Sequence, residues 1–383
     1  MAPKRRDGPL AGLRAIEMAG LGPLRMCGML LSDLGAQVLV IDRQTPSGLG
    51  LNVERRFSIL QRNRETIEVD LKTAAGIDLI LKLAAGADAL IEAFRPGTME
   101  RLGLGPQECL ARNEKLVYGR LTGWGQDGPL AKAAGHDLNY IALSGVLHQL
   151  GRSGQPPTPP LNLLGDYGGG ALYLAFGVVS ALLSVARSGM GQVVDAAMVE
   201  GSASLMTSFY GTHAAGMFRA PRGENLVDSG SFFYEVYECA DGKFVSVAAV
   251  EDKFFLELLR LIAIDPTDFV DRQNPASWQK GKAILAKKFK ERTRNDWCAL
   301  LEGTDACFAP VLSLEEAPRH PHNIERASFI EVDGIVQPAP APRFSGTPAS
   351  VPTSPHDPDA DALLDWGFTS DEIGRLKDAG TVS

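Results

Sequence analysis

Apolar residues in the N-terminal half of the chain come in short runs that alternate with longer stretches of helical spacing. Residues 13–19 (Leu-Arg-Ala-Ile-Glu-Met-Ala) read as a strand, broken by Gly20-Leu21-Gly22-Pro23 and followed by an apolar helix to about Asp33. Pro23 suits the first turn of that helix and Gly35 the residue past its end. Residues 37–42 read as a second strand. The alternation continues with a strand at 66–70, a helix around 75–85, a strand at 89–94, the turn Arg95-Pro96-Gly97 and a strand at 116–121. Strands and helices interleaved in this way predict a doubly wound, Rossmann-like α/β domain with a mainly parallel sheet.

Residues 171–186 form a strongly apolar run, interrupted by Ser180 and Ser184 and closed by Arg187-Ser188-Gly189. Its length fits a buried helix better than a membrane span. A strand at 192–198 and a helix at 199–213 follow, and then Gly, Arg and Asn dominate residues 214–230, which mark a crossing to a second domain. Residues 232–239 and 244–250 flank Asp241-Gly242, the signature of a tight hairpin in a smaller α+β domain. Glu251 begins the next helix, where a first-turn carboxylate suits the helix dipole. Residues 278–292 are basic and amphipathic, the pattern of a solvated helix face. Prolines recur from 338 to 358, so this segment is expected to run extended over other structure or to act as a linker. A last helix at 370–377 is preceded by Leu363, Leu364, Trp366 and Phe368, which would dock it. The expected division is a large domain at 1–215, a small one at 225–325 and a C-terminal segment at 326–383 that returns to the large domain.

Composition narrows the function classes. The chain has 383 residues, more than one comfortable core, with 45% hydrophobic and 22% charged residues, as in ordinary globular proteins. A net charge of −8 disfavours nucleic acid and anionic lipid as partners. Cys27, Cys109, Cys239, Cys298 and Cys307 are scattered without CxxC spacing, which argues against zinc and against a disulfide framework and for a reducing compartment. The basic start lacks an apolar segment behind it, and the chain ends Thr381-Val382-Ser383, so a cytoplasmic location is expected.

Candidate chemistry concentrates between Gly135 and Gly170. Gly135-His136-Asp137-Leu138-Asn139-Tyr140 is followed by a loop and then by Asn162-Leu163-Leu164-Gly165-Asp166-Tyr167-Gly168-Gly169-Gly170. Taken singly, His136 reads as a satisfied histidine and Asp166 as a helix N-cap. Together, and beside a run of glycines that a cap does not need, they suit proton transfer to and from one small molecule. The glycines would let the backbone approach a ligand, and first-turn N–H groups would favour anionic oxygen. Elsewhere, Gly20-x-Gly22 with Asp42 imitates a dinucleotide fingerprint, but Arg25 stands where its third glycine belongs, so nicotinamide is not expected. Arg43, directly after the second strand, suits a phosphate better than a ribose hydroxyl. Arg55, Arg56, Arg62 and Arg64 form a basic knot that reads either as a solvated loop or as a polyphosphate clamp.

These motifs carry a resemblance that keeps its order from about Leu10 to Val382. The Gly135–Tyr140 and Asn162–Gly170 stretches resemble those of the α-methylacyl-CoA racemases, a branch of the family III CoA-transferases (the CaiB/BaiF superfamily). Also similar are Ile41-Asp42-Arg43, Arg95-Pro96-Gly97, Glu100-Arg101-Leu102-Gly103-Leu104, residues 237–243 and residues 367–373. The resemblance implies that His136 and Asp166 are the two acid/base groups, that Glu251 orients His136, and that Asp137 and Asn162 support them. It implies CoA contacts at Arg43, Arg62 and Arg101, with a few extra residues inserted within 47–57. It further implies an interlaced homodimer of two-domain subunits with active sites between subunits, so that Glu251 reaches His136 from the partner. The substrate would be an acyl-CoA thioester, with CoA entering as part of the substrate and no separate cofactor or metal.

The expected reaction explains the residue types. Inverting a carbon next to a thioester takes a proton from one face and returns another to the opposite face, with an enolate between, so two bases must flank one carbon. The rival within the family is CoA transfer, in which Asp166 attacks the acyl-CoA and forms an anhydride. A third reading is an acyl-CoA-binding protein without catalysis.

Overall fold

A computed structural model describes residues 7–45, 48, 53–218 and 221–383. Of the stretch 47–57, where a few extra residues are expected, residues 47 and 49–52 lie outside the described residues. The chain forms two compact units, Met1–Ser144 with Leu161–Leu205 and His322–Ser383, and Gly145–Pro160 with Met206–Pro321.

The first unit is built on a six-stranded sheet in the order β3-β2-β1-β4-β5-β6, from β1 (Arg14–Met18), β2 (Gln37–Asp42), β3 (Glu65–Glu68), β4 (Ala89–Glu92), β5 (Val117–Thr122) and β6 (Gln192–Ala197). Every pairing is parallel, and β1 lies between β2 and β4 with Ile16 opposite Leu39 and Leu90. Alternation along the strands sends residues to opposite faces, and both faces are covered. On one, Ile16, Met18, Leu39, Ile41, Leu90 and Tyr118 pack against Leu79, Ile80 and Leu83 of α2 (Ala74–Ala85) and against Leu363, Trp366 and Ile373 from the C-terminal segment. On the other, Ala15, Val38, Ala89, Ile91 and Val117 pack against Leu24, Cys27 and Leu31 of α1 (Gly22–Asp33) and against the long apolar helix described below. The short helices α3 (Thr98–Arg101) and α4 (Pro106–Arg112) complete the link from β4 to β5. In this strand order the chain runs outward from β1 through β2 to β3 and then crosses to β4 on the other side of β1, and the crevice beyond the carboxyl ends of β1 and β4 is where such sheets bind ligands. The loops that start at Gly20 and at Phe94 stand there.

The apolar run folds as expected but is covered on one side only. A wide helical stretch, Leu163–Ala171, with i→i+5 hydrogen bonding, leads into α6 (Leu172–Ser188); α5 (Asp137–Leu143) precedes it. Leu174, Val178 and Ala181 are buried against the sheet, whereas Leu172, Phe176, Val179 and Leu183 are exposed. The expected buried helix is therefore half open, with no described residue covering its outer face. By length and composition Leu163–Ser188 is able to cross a membrane, and a third of its most apolar window is buried inside the protein. The expected helix at 199–213 is two helices, α7 (Met198–Leu205) and α8 (Thr207–Ala214), broken at Met206. The proline-rich segment runs extended along the first unit, where Asn63 and Thr353 exchange hydrogen bonds.

The second unit holds the antiparallel sheet β7-β8-β9, from β7 (Tyr234–Glu238), β8 (Phe244–Ala248) and β9 (Phe308–Pro310). Asp241-Gly242 lies in the turn between β7 and β8, with Gly242 at φ 75°. Helix α9 (Asp252–Leu261) follows β8, and an aromatic core of Phe232, Phe233, Tyr237, Phe255, Phe289 and Trp297 fills the unit.

Candidate active site

His136 ends an extended segment (φ −135°, ψ 173°) and caps α5, its N–H held by the Asn139 side chain at 3.0 Å. Its ring is exposed. The next residue turns inward. Asp137 is buried, and one carboxylate oxygen accepts the N–H groups of Gly165 at 2.6 Å and Asp166 at 2.7 Å. Glycine at 165 is required by this approach, since an added Cβ would lie 2.6 Å from that same oxygen. A single buried carboxylate thus ties the start of α5 to the wide helix, and His136 and Asp166 lie within electrostatic reach of each other. Leu161, just before this segment, takes a left-handed conformation at φ 60°, uncommon for a leucine.

The Asp166 carboxyl is raised above the usual aspartate range. Partial burial is the main cause; Asn162, donating to it at 3.1 Å, and His136 pull it down, and Asp137 adds to the rise. A carboxyl so placed keeps its proton to a higher pH than a solvated one. Tyr140 donates to the Gly135 carbonyl and packs edge-on against Trp124 at 4.8 Å between ring centres. Its phenol is pushed up to about 12, chiefly by burial and then by Asp166, with Arg95 opposing. Tyr140 and Arg95 therefore belong to the same electrostatic neighbourhood. In the sequence Arg95 stands out only as part of a turn and Tyr140 only as part of a motif. The available signal was that Arg95 follows a central strand of an α/β sheet.

The glycine run serves a different purpose from the one expected. A Cβ on Gly169 would fall 2.5 Å from the Ser202 hydroxyl of α7, so this glycine allows close packing of two helices rather than a ligand's approach. The N–H groups of Gly165 and Asp166 are committed to Asp137. At the start of α5 the N–H groups of Asp137 and Leu138 have no partner among the described residues.

The three arginines expected at CoA part company. Arg62 is buried, with Nε and Nη2 on Asp33 (3.1 and 2.6 Å) and Nη1 on Gln337 and the Pro338 carbonyl (2.8 Å each). A phosphate would have to displace Asp33, so Arg62 reads here as a structural cation. Arg64 of the same knot is buried on Glu17. Arg43 and Arg101 are exposed; Arg101 donates to the Thr98 hydroxyl at 3.0 Å. Glu251 lies in the second unit, exposed and extended (φ −78°, ψ 145°) at the N-cap of α9, with no side-chain bond to its own helix. A capping role therefore does not account for its carboxylate.

The profile of CoA-transferase family III matches residues 10–362. The alpha-methylacyl-CoA racemase of Mus musculus is 44% identical over 96% of this chain and 96% of its own, and that of Homo sapiens is 41% identical over the same shares. Among solved structures, a CaiB/BaiF family protein from Brucella suis superposes with a TM-score of 0.81 at 24% identity, covering 96% of this chain and all of that one, which supports the same fold. The chain belongs to CoA-transferase family III.

Proposed function

We propose that this protein is an isomerase that inverts the α-carbon of 2-methylacyl-CoA thioesters by two-base proton transfer. The observation that carries the reading is the Asp137 bridge, which ties the backbone at Asp166 to the residue that follows His136, with the Asp166 carboxyl within electrostatic reach of His136. One group removes the α-proton, the electron pair moves onto the thioester oxygen as an enolate, and the other group delivers its proton to the opposite face. The enolate oxygen needs hydrogen-bond donors aimed at it. Atoms balance without redox chemistry, so the reaction calls for no resident metal or cofactor, and CoA arrives with the substrate.

Arg43 and Arg101 are the cations proposed for the CoA phosphates, being exposed where Arg62 is not. A homodimer is proposed on the open apolar face of α6, which is larger than scattered surface residues require. In that dimer Glu251 of a second copy would orient His136, as the family likeness suggests. The test is incubation of a 2-methylacyl-CoA with the protein in deuterium oxide without any acceptor acid. Label at the α-carbon is expected; its absence, with CoA passing to an added free acid, would replace this reading by CoA transfer through Asp166.

A further inference from the structure

The residues on either side of Glu251 are held by one buried cation. Arg272 donates from Nη2 to the Val250 carbonyl at 2.7 Å and from Nη1 to the Ala249 carbonyl at 3.4 Å, the two residues before Glu251. It also grips Asp252, the residue after, through Nε at 2.8 Å and Nη2 at 2.5 Å. The guanidinium lies 4.6 Å from the centre of the Phe233 ring and 5.0 Å from that of Phe255 and is 8% exposed. Its own carbonyl accepts the Trp278 indole N–H at 2.8 Å. Planar geometry lets one arginine span two carbonyls and a carboxylate at once, which a lysine cannot do.

We infer that Arg272 is a positioning residue for the reaction, acting through Glu251, and the inference rests on the role proposed for Glu251 above. Of the two acidic residues at this helix start, Asp252 is engaged by the clamp and Glu251 is left exposed without a bond to its helix. A carboxylate presented from a fixed backbone loses less freedom when it meets its partner and meets it in one orientation. The clamp thus gives the strand-to-helix turn a single shape while leaving Glu251 available.

The experiment is a double-mutant cycle on the full-length protein, with Arg272→Met, Glu251→Gln and the pair, reading racemisation of a 2-methylacyl-CoA. Arg272→Met is expected to lower kcat on the order of 10-fold to 100-fold with KM little changed. Added to Glu251→Gln it should cause no further loss, and Arg272→Lys should recover part of the rate. A loss that repeats in full in the Glu251→Gln background, or no loss in either, overturns the inference. Glu251→Gln at parental turnover would instead remove Glu251 from the reaction, and the inference with it. If Arg272→Met does not fold, by circular dichroism, Asp252→Ala decides, because it cuts only the exposed carboxylate arm. Its fall in kcat must appear in the parent and vanish beside Glu251→Gln; any other pattern rejects the positioning role.

Discussion

The carboxylate of Asp137 accepts the backbone N–H of Asp166 at 2.7 Å, so the residue beside His136 fixes where Asp166 stands. The same oxygen takes the Gly165 N–H, and the whole arrangement is internal to the first unit. Removing it leaves buried donors without a partner, which costs about 1–3 kcal/mol. Asp137→Ala should therefore lower stability in urea by about that amount and reduce α-carbon labelling, while Asp137→Asn, with one acceptor oxygen kept, should restore most of both. A parental melting curve and parental labelling for Asp137→Ala would show that the bridge does not organise the site.

Asp166 also makes stability depend on pH in a definite direction. Its folded value is raised, mainly by burial, so the folded chain binds this proton more tightly than the unfolded one. The stability it contributes is full below the ordinary aspartate value, about 3.9, and is lost as pH rises through the raised folded value. At neutral pH the partly desolvated charge is a burden that a neutral amide lacks. Asp166→Asn should thus melt higher than the parent at pH 7, and the gap should close as pH is lowered to about 4. A gap of constant size across that range would mean that some effect other than ionisation sets it.

Arg62 and Arg101 should fail in opposite ways. The Arg62 and Asp33 side chains are only 4% and 2% exposed, and breaking a buried pair from one side typically costs about 3–5 kcal/mol. Arg62→Ala is expected to lose stability of that order, about 3–5 kcal/mol, with KM for the thioester unchanged in whatever fraction folds. Arg101→Ala should keep the parental melting temperature and raise KM. Equal kinetics for Arg101→Ala and the parent would remove Arg101 from the CoA site.

Phe176, 74% exposed, stands with Leu172, Val179 and Leu183 on one open face of α6. Covering one such side chain is worth roughly 1.5–3 kcal/mol, so a dimer that used this face would be sensitive to a single charge there. If the proposed dimer forms, Phe176→Lys should sediment as a monomer at concentrations where the parent sediments as a dimer, and should lose racemisation in step. Unaltered sedimentation would place the subunit contact elsewhere.

The parallel sheet was legible because buried strands and helices leave different periods in the sequence, and β1, β2 and α1 fall close to where those periods put them. His136 and Asp166 were legible as residue types in company. The bridge between them was not, since nothing in Asp137 or Gly165 as letters says that they touch. Arg62 and Arg101 look alike in sequence and differ only in that Asp33 is folded against one of them. The glycine run misled for a related reason: Gly169 is small because α7 crosses it, and a crossing helix leaves no mark in the residues it crosses. The break at Met206 was hidden because the apolar spacing continues through it.

Two opposed bases should also divide the substrate's hands between them. On the proposed two-base reading, His136 would take the proton of the (S)-thioester and Asp166 that of the (R)-thioester. Net inversion in either direction needs both, one to remove and one to supply, so His136→Ala should nearly abolish it from both sides. Exchange asks for less. With Asp166 intact, His136→Ala should still take the α-proton of the (R)-substrate, trade it with deuterated solvent and return deuterium to the same face. Asp166→Asn should show the mirror pattern with the (S)-substrate, helped by Asn162, which donates to the side chain at 166 and can do the same to an amide oxygen. The measurement is label uptake and optical inversion for both variants with both hands. A variant that inverts at a near-parental rate is not missing one of the bases. If Asp166→Asn alone ends every activity while His136→Ala still passes CoA to a free acid, Asp166 is a nucleophile and the protein is a transferase.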